Sequence, residues 1–204
     1  MLPASYLLFL VGTLASGAIF FSSRPFDAKA AILSDLLSPD DNPHGYGASA
    51  AGTAFSAILL GPAAAVFYQQ LRKDHPKLAL AGTIMFAVGL ASAIGIGILA
   101  PFTHDYTPLH IQLASAAFIG ISAGTWFHLL AARGAPALLI FQLAAVLVVV
   151  FLCYGPVHFD NHRLLTSLAF WEWALCLDCG AALWALAGEV ERKAAGKTAR
   201  CQHA

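Results

Sequence analysis

Six apolar runs, each close to twenty residues long, are the feature of this sequence that most limits its fold. A helix needs about 20 apolar residues to cross the hydrocarbon core of a bilayer. Lipid offers no partners to backbone N–H and C=O groups, so a spanning segment must satisfy those groups internally, as a helix does. The pattern predicts an all-α fold, a polytopic membrane bundle of six transmembrane helices. The predicted spans are about 2–21, 48–69, 78–100, 109–132, 136–154 and 164–188.

The composition also indicates a lipid environment. Hydrophobic residues make up 59% of the 204 residues and charged residues 11%, whereas soluble domains carry about 25% charged residues. A chain with so little polar surface cannot cover its core in water, so its apolar side chains are expected to face lipid. The net charge of zero argues against a nucleic-acid partner.

The lysines and arginines predict the orientation. Eight of them flank one side of the predicted spans and three flank the other, and the richer side is expected in the cytoplasm. Both termini then lie in the cytoplasm, with a six-span domain over residues 1–190 and a basic cytoplasmic tail over 191–204. The first run lacks a basic leader, so we interpret it as a retained span and not a cleaved signal peptide. The richer side carries Arg72, Lys73, Lys77, Arg133, Arg192, Lys193, Lys197 and Arg200.

Histidines and aspartates gather in the three loops predicted to face outward, residues 22–47, 101–108 and 155–163. Imidazole nitrogens and carboxylate oxygens are the usual ligands of zinc, and an open fourth position activates water. One hypothesis is therefore a metal site, with zinc as the candidate ion, formed by His104, Asp105, His158 and His162. The alternative is that these polar residues simply belong in wet loops, because no stronger metal motif such as HExxH accompanies them.

Three further residues are candidates for catalysis at the same membrane face. His110 opens the fourth span just inside the boundary, where an ionisable side chain tends to face a polar pocket. Glu172 lies about eight residues into the sixth span, roughly 12 Å deep at 1.5 Å per residue. It is either a proton acceptor or a partner in a structural hydrogen bond between helices. Asp35, in the first outer loop, adds a carboxylate to this group.

The sequence makes weaker predictions for the cysteines and for the remaining polar residues of the spans. Cys176 and Cys179 match CxxC by spacing, but their place inside a span argues against a redox or zinc role. His128 and Gln142 are expected to form hydrogen bonds between helices. Gly120 and Gly124 form a GxxxG pair, which predicts close helix packing at that position.

Three stretches together resemble the Frag/DRAM-type six-helix membrane proteins and a related bacterial membrane family of unknown function. The resemblance implies six helices, a bacterial inner-membrane location, and a role connected with lipid, because one branch of that group remodels the lipid of GPI anchors. It points to Ser34, Asp35, Asn42, His110 and Glu172, although Leu36-Leu37 stand here where a glycine often follows the Ser-Asp pair. The stretches are Ile32-Leu33-Ser34-Asp35-Leu36 with Asn42-Pro43, Pro101 with Asp105 and His110-x-x-x-Ala114-x-x-x-Phe118, and the last span with Glu172.

Three functions remain open on the sequence. The first is a lipid-handling or lipid-remodelling protein with a polar His/Asp site at the extracytoplasmic face and membrane lipid as its partner. The second is a non-enzymatic scaffold, regulator or subunit that forms a homo-oligomer or joins a membrane complex. The third is a small carrier that uses Glu172 and Asp178, which the lack of matching broken spans in the two halves weakens.

Overall fold

A computed structural model describes residues 2–22, 24–25, 27, 33–99, 106–154 and 164–202, and over these residues the chain is helical with no strand. This confirms the all-α class. The six helices lie over the six apolar runs of the sequence. They are α1 (Leu2–Phe20), α2 (Tyr46–Leu71), α3 (Pro76–Leu99), α4 (Tyr106–Ala132), α5 (Pro136–Tyr154) and α6 (Leu168–Gln202).

Five of these helices, α1 to α4 and α6, are long and apolar enough to cross a membrane. Helix α5 is 19 residues long, and its described part, Pro136–Val148, is also apolar. Large apolar side chains remain exposed all along the bundle, for example Leu14 at 66% and Ile140 at 71%. A surface of this kind is the outer face of a helix that contacts lipid, so the architecture is compatible with a multi-pass membrane protein.

Glycines set the distance between α3 and α4. A Cβ atom added to Gly120 would lie 2.6 Å from the Cα of Gly89, and one added to Gly124 would lie 2.6 Å from the backbone nitrogen of Phe86. Small residues let helix backbones approach closely where lipid removes the hydrophobic drive for association. The GxxxG pair of α4 therefore packs against α3, as the sequence predicted.

Small residues also let α1 pack closely against α2. A Cβ atom on Gly12 would lie 2.8 Å from the Cα of Gly52, and the Ser5 hydroxyl lies 2.9 Å from that of Ser56. These pairs show that α1 and α2 run antiparallel. Tyr6 packs against Gly180 and so brings α1 alongside α6, which also contacts α4 and α5.

A short 3-10 helix, Leu33–Leu37, lies at the end of the bundle where α1 finishes and α2 begins; we call this the outer end and the opposite one the inner end. Its backbone is held by side chains of both helices, because the hydroxyls of Ser16 and Ser49 donate to the Leu36 carbonyl at 2.9 and 2.6 Å. The Asn42 amide donates to the Ser16 oxygen at 2.8 Å. Leu33, Leu36 and Leu37 of this short helix are buried in the bundle.

Helix α6 continues well beyond the predicted span and carries the basic tail as far as Gln202. The tail residues are mostly Glu, Arg, Lys and Ala, which favour helix. Glu189 and Arg192 pair at one-turn spacing. Lys193 Nζ lies 3.1 Å from Asp74 Oδ2 in the loop between α2 and α3, so it links the two elements at the inner end of the bundle.

Candidate functional site

An apolar cavity lies inside the bundle, with walls from α1, α2, α3, α4 and α6 and an outer rim from the 3-10 helix. Its volume is about 160 Å³. Most of the wall is formed by alanine, leucine, isoleucine and phenylalanine side chains. The hydroxyl, imidazole and carboxyl groups in the wall are those of Ser5, Tyr6, Thr53, Ser56, His110 and Glu172.

His110 and Glu172 lie at the same end of this cavity. Helices α4 and α6 run in the same direction, and each residue is the fifth of its helix. His110 is only 8% exposed. Two of the three candidate catalytic residues therefore share one apolar cavity, close to its outer end.

Glu172 lies nearer the start of its helix than the sequence indicated. Helix α6 begins at Leu168, and residues 164–166 form a separate 3-10 turn before it. Glu172 is thus about 6 Å from the helix start at 1.5 Å per residue, and not the 12 Å expected from a span that begins at residue 164.

Asp35 takes a different position from the other two candidates. Its neighbours Leu33 and Leu37 contribute to the outer rim of the cavity, whereas Asp35 itself is half-buried on the other side of the 3-10 helix. Burial raises the pKa of Asp35 to about 6; the nearby Asp41 carboxylate adds to the shift and Arg24 opposes it. Asp35 therefore belongs to the segment that closes the cavity and not to its wall.

The predicted metal ligands His104, Asp105, His158 and His162 lie outside the described residues, so the zinc hypothesis stays a prediction. Within the part of the chain that the structure describes, no group of three or more His, Cys, Asp or Glu side chains could hold a metal ion.

Several residues of the cavity wall were not among the sequence candidates. Cys176 and Cys179 both line the cavity on the stripe of α6 that begins at Glu172, and both are free thiols. Tyr6 lines the cavity from α1 beside them. A four-residue spacing links Glu172 to Cys176, which is the signal that could have placed them on one helix face.

His128, by contrast, has the structural role expected of it. Its Nε2 lies 3.1 Å from the Thr83 hydroxyl of α3, and its ring packs between Phe67 and Phe86. The ring therefore joins α2, α3 and α4 within the core and takes no part in the cavity wall.

No family model, curated protein or solved structure matches this chain. The resemblance to the Frag/DRAM-type proteins accordingly stays a prediction. The described residues form an all-helical bundle with five helices that could cross a membrane and an apolar cavity with His110 and Glu172 at one end.

Proposed function

We propose that this chain is a six-span, lipid-handling protein of the bacterial inner membrane. In this proposal the cavity holds an acyl chain, and His110 and Glu172 contact the polar group of the same lipid. The observation that carries it is the shared wall: a histidine and a carboxyl group at one end, with apolar side chains over most of the remainder. A lipid molecule has the same division into a polar end and an apolar chain.

The cavity volume fits part of one acyl chain. At about 160 Å³ it is close to the engineered apolar cavity of about 150 Å³ that stays dry and binds benzene. Such a space takes a segment of a single chain and leaves no room for two chains side by side. The remainder of the lipid would lie in the surrounding bilayer.

An acyl chain can reach the cavity from the membrane between α1 and α6. Trp184 lines the cavity and is also 60% exposed on the outside of the bundle. Tyr6 of α1 lies opposite, in contact with Gly180. A side chain that belongs both to the cavity wall and to the lipid-facing surface marks the thinnest part of the wall. We therefore assign the entrance to the contact between α1 and α6.

His110 and Glu172 allow proton transfer at the outer end of the cavity, in addition to lipid binding. An imidazole and a carboxyl group together can move a proton to or from a headgroup oxygen, which is the requirement for general acid–base catalysis. Lipid remodelling at this position would use the apolar cavity to hold the chain while the polar group meets the two side chains.

The test compares two alanines on α3 that differ only in the direction they face. Ala93 is buried and lines the cavity, whereas Ala91 is exposed on the outer face of the same helix. We expect Ala93→Leu to reduce the co-purified lipid several-fold, because the larger side chain occupies the space of the acyl chain. Native mass spectrometry of the protein in mild detergent measures the bound lipid.

Ala91→Leu is the matched control and should retain the wild-type amount of lipid. In the same experiment His110→Ala should alter which headgroups are retained while total chain binding persists, because the imidazole meets only the polar end. Equal lipid retention by the wild type and Ala93→Leu would show that the cavity does not hold the acyl chain.

A further inference from the structure

A second group of buried polar side chains lies where α4, α5 and α6 meet. It consists of Ser122 from α4, Gln142 from α5, and Asp178 and Cys179 from α6, which we call the three-helix cluster. Gln142 is 1% exposed and Asp178 is 4% exposed. Only Cys179 also lines the apolar cavity, so the cluster is a separate site.

The thiol of Cys179 is the point on which the three helices converge. Its sulfur lies 3.3 Å from the Ser122 hydroxyl. The Gln142 amide lies within reach of the same thiol, and Asp178 is the residue next to Cys179 on α6. Gln142 is eight residues beyond Gly134, which packs against Glu189 at the inner end of the bundle. The cluster is therefore roughly 12 Å from that end at 1.5 Å per residue.

Two of these side chains lack hydrogen bonds although they are buried, where an unpaired polar atom is unfavourable. Both carboxyl oxygens of Asp178 and both amide atoms of Gln142 are buried without a hydrogen-bond partner among the described residues. An unpaired buried amide is unfavourable by about 1–3 kcal/mol on protein scales, and a carboxylate at the centre of a span by about 2.5–3.5 kcal/mol.

The side chains of the cluster limit which kind of ion could pair with its unpaired polar atoms. Carboxylate, amide and hydroxyl oxygens are the ligands that hard cations prefer, whereas transition metals favour imidazole and thiolate. Asp178 supplies a single negative charge, which a monovalent cation would balance within hydrocarbon and a divalent cation would exceed. We propose that the three-helix cluster binds a small monovalent cation, with Na⁺ held by oxygens of Asp178, Gln142 and Ser122.

Such an ion would stabilise the packing of α5 against α4 and α6. Among the helices, α5 contacts chiefly α4 and α6, and its outer face exposes Phe141 and Leu147. A cation that binds only the folded state stabilises it by RT ln(1 + [Na⁺]/Kd), so the stability rises with the Na⁺ concentration. Thermal stability therefore reports on binding, independently of whether the apolar cavity holds lipid.

The experiment measures the melting temperature of the purified full chain in NaCl, KCl and choline chloride at equal ionic strength. We expect the melting temperature to rise with the NaCl concentration but not with choline chloride, and Asp178→Asn to abolish the rise, because the variant lacks the compensating charge. Ser122→Ala should shift the Na⁺ dependence to higher concentration by several-fold. Glu191→Gln removes a carboxylate from an exposed position of the same helix and should keep the full response.

Direct binding of radiolabelled Na⁺ to the wild-type protein decides the matter if Asp178→Asn does not fold. Saturable binding that Gln142→Leu weakens supports the site. The proposal is overturned by equal melting temperatures in NaCl and choline chloride together with no saturable Na⁺ binding, or by a full Na⁺ response in Asp178→Asn.

Discussion

Single polar residues in this bundle are distinguished by what surrounds them more than by their position along a helix. Glu172 and Asp178 are six residues apart on α6, yet Glu172 lines the apolar cavity and Asp178 lies in the three-helix cluster. Six residues rotate a helix by about 120° net, enough to turn two side chains toward different neighbours. The same argument separates Asp35 from Leu33 and Leu37 within one short 3-10 helix.

Asp35 makes stability depend on pH at the residue scale. Its pKa in the folded protein is about 6, above the ordinary value of 3.8, so the folded state binds the proton more tightly than the unfolded state. Its stabilising contribution is therefore complete below about pH 4 and is lost as the pH rises through 6. We expect Asp35→Asn to remove this loss and to melt at a higher temperature than the wild type above pH 6.

The measurement is thermal unfolding of the two proteins between pH 4 and pH 7.5. Asp40→Asn is the control, because Asp40 is exposed in the turn that follows the 3-10 helix and its replacement should leave the wild-type profile. Parallel pH profiles for the wild type and Asp35→Asn would contradict the assignment.

At the scale of helices, small residues decide which elements touch. The α3–α4 and α1–α2 pairs meet at glycines where an added Cβ atom would lie under 3.0 Å from the neighbouring backbone. Backbone atoms at a helix crossing cannot move aside as a flexible side chain can. The shape of the cavity depends on these contacts, because α3 and α4 both contribute to its wall.

A glycine substitution at the α3–α4 crossing tests this dependence. We expect Gly120→Ala to destabilise the folded protein by about 1–3 kcal/mol, the range of overpacking substitutions, because its Cβ atom would lie 2.6 Å from Gly89. Gly61→Ala is the matched control, since no atom lies within 4 Å of a Cβ atom added there. Denaturation in a fixed detergent compares them; equal loss of stability in both variants would refute close packing as the cause.

At the scale of the whole molecule, the ends of the bundle differ in charge. Arg72, Lys73, Arg133 and Arg192 lie at the end where α2 and α4 finish and α6 carries its tail. The Lys193–Asp74 pair joins two elements at that same end. The opposite end carries the 3-10 helix, Asp40 and Asp41. This asymmetry supports the proposed orientation, with His110, Glu172 and the 3-10 helix toward the extracytoplasmic face.

Reporter fusions check the orientation and the six spans together. Alkaline phosphatase fused after Asp40 should be active, because it requires export. Green fluorescent protein fused after Asp74, Arg133 or Gln202 should fluoresce, because those positions face the cytoplasm. Phosphatase activity after Arg133 combined with fluorescence after Asp40 would invert the scheme, and a mixed pattern at Asp74 and Arg133 would change the number of spans.

Part of the candidate site could be predicted from the sequence. His110 and Glu172 stand out because ionisable groups within apolar spans are costly and seldom incidental. Their common cavity could not be predicted, since it depends on how far α4 and α6 rotate as they pack. The hydrogen bonds from Ser16 and Ser49 to the Leu36 carbonyl could not be predicted either. In a span rich in small residues, the sequence does not distinguish a serine that only packs from one that donates a hydrogen bond.

The sequence by itself determined the helical, membrane-compatible character of this chain, because that character follows from run lengths and side-chain hydrophobicity, which are local properties. Only the tertiary structure decided which polar groups meet. The side chains that surround Glu172, Asp178 and Gln142 belong to other helices of the bundle, and close glycine contacts fix how the helices pack. A rotation set by contacts between distant segments leaves no local pattern from which the cavity or the three-helix cluster could be inferred.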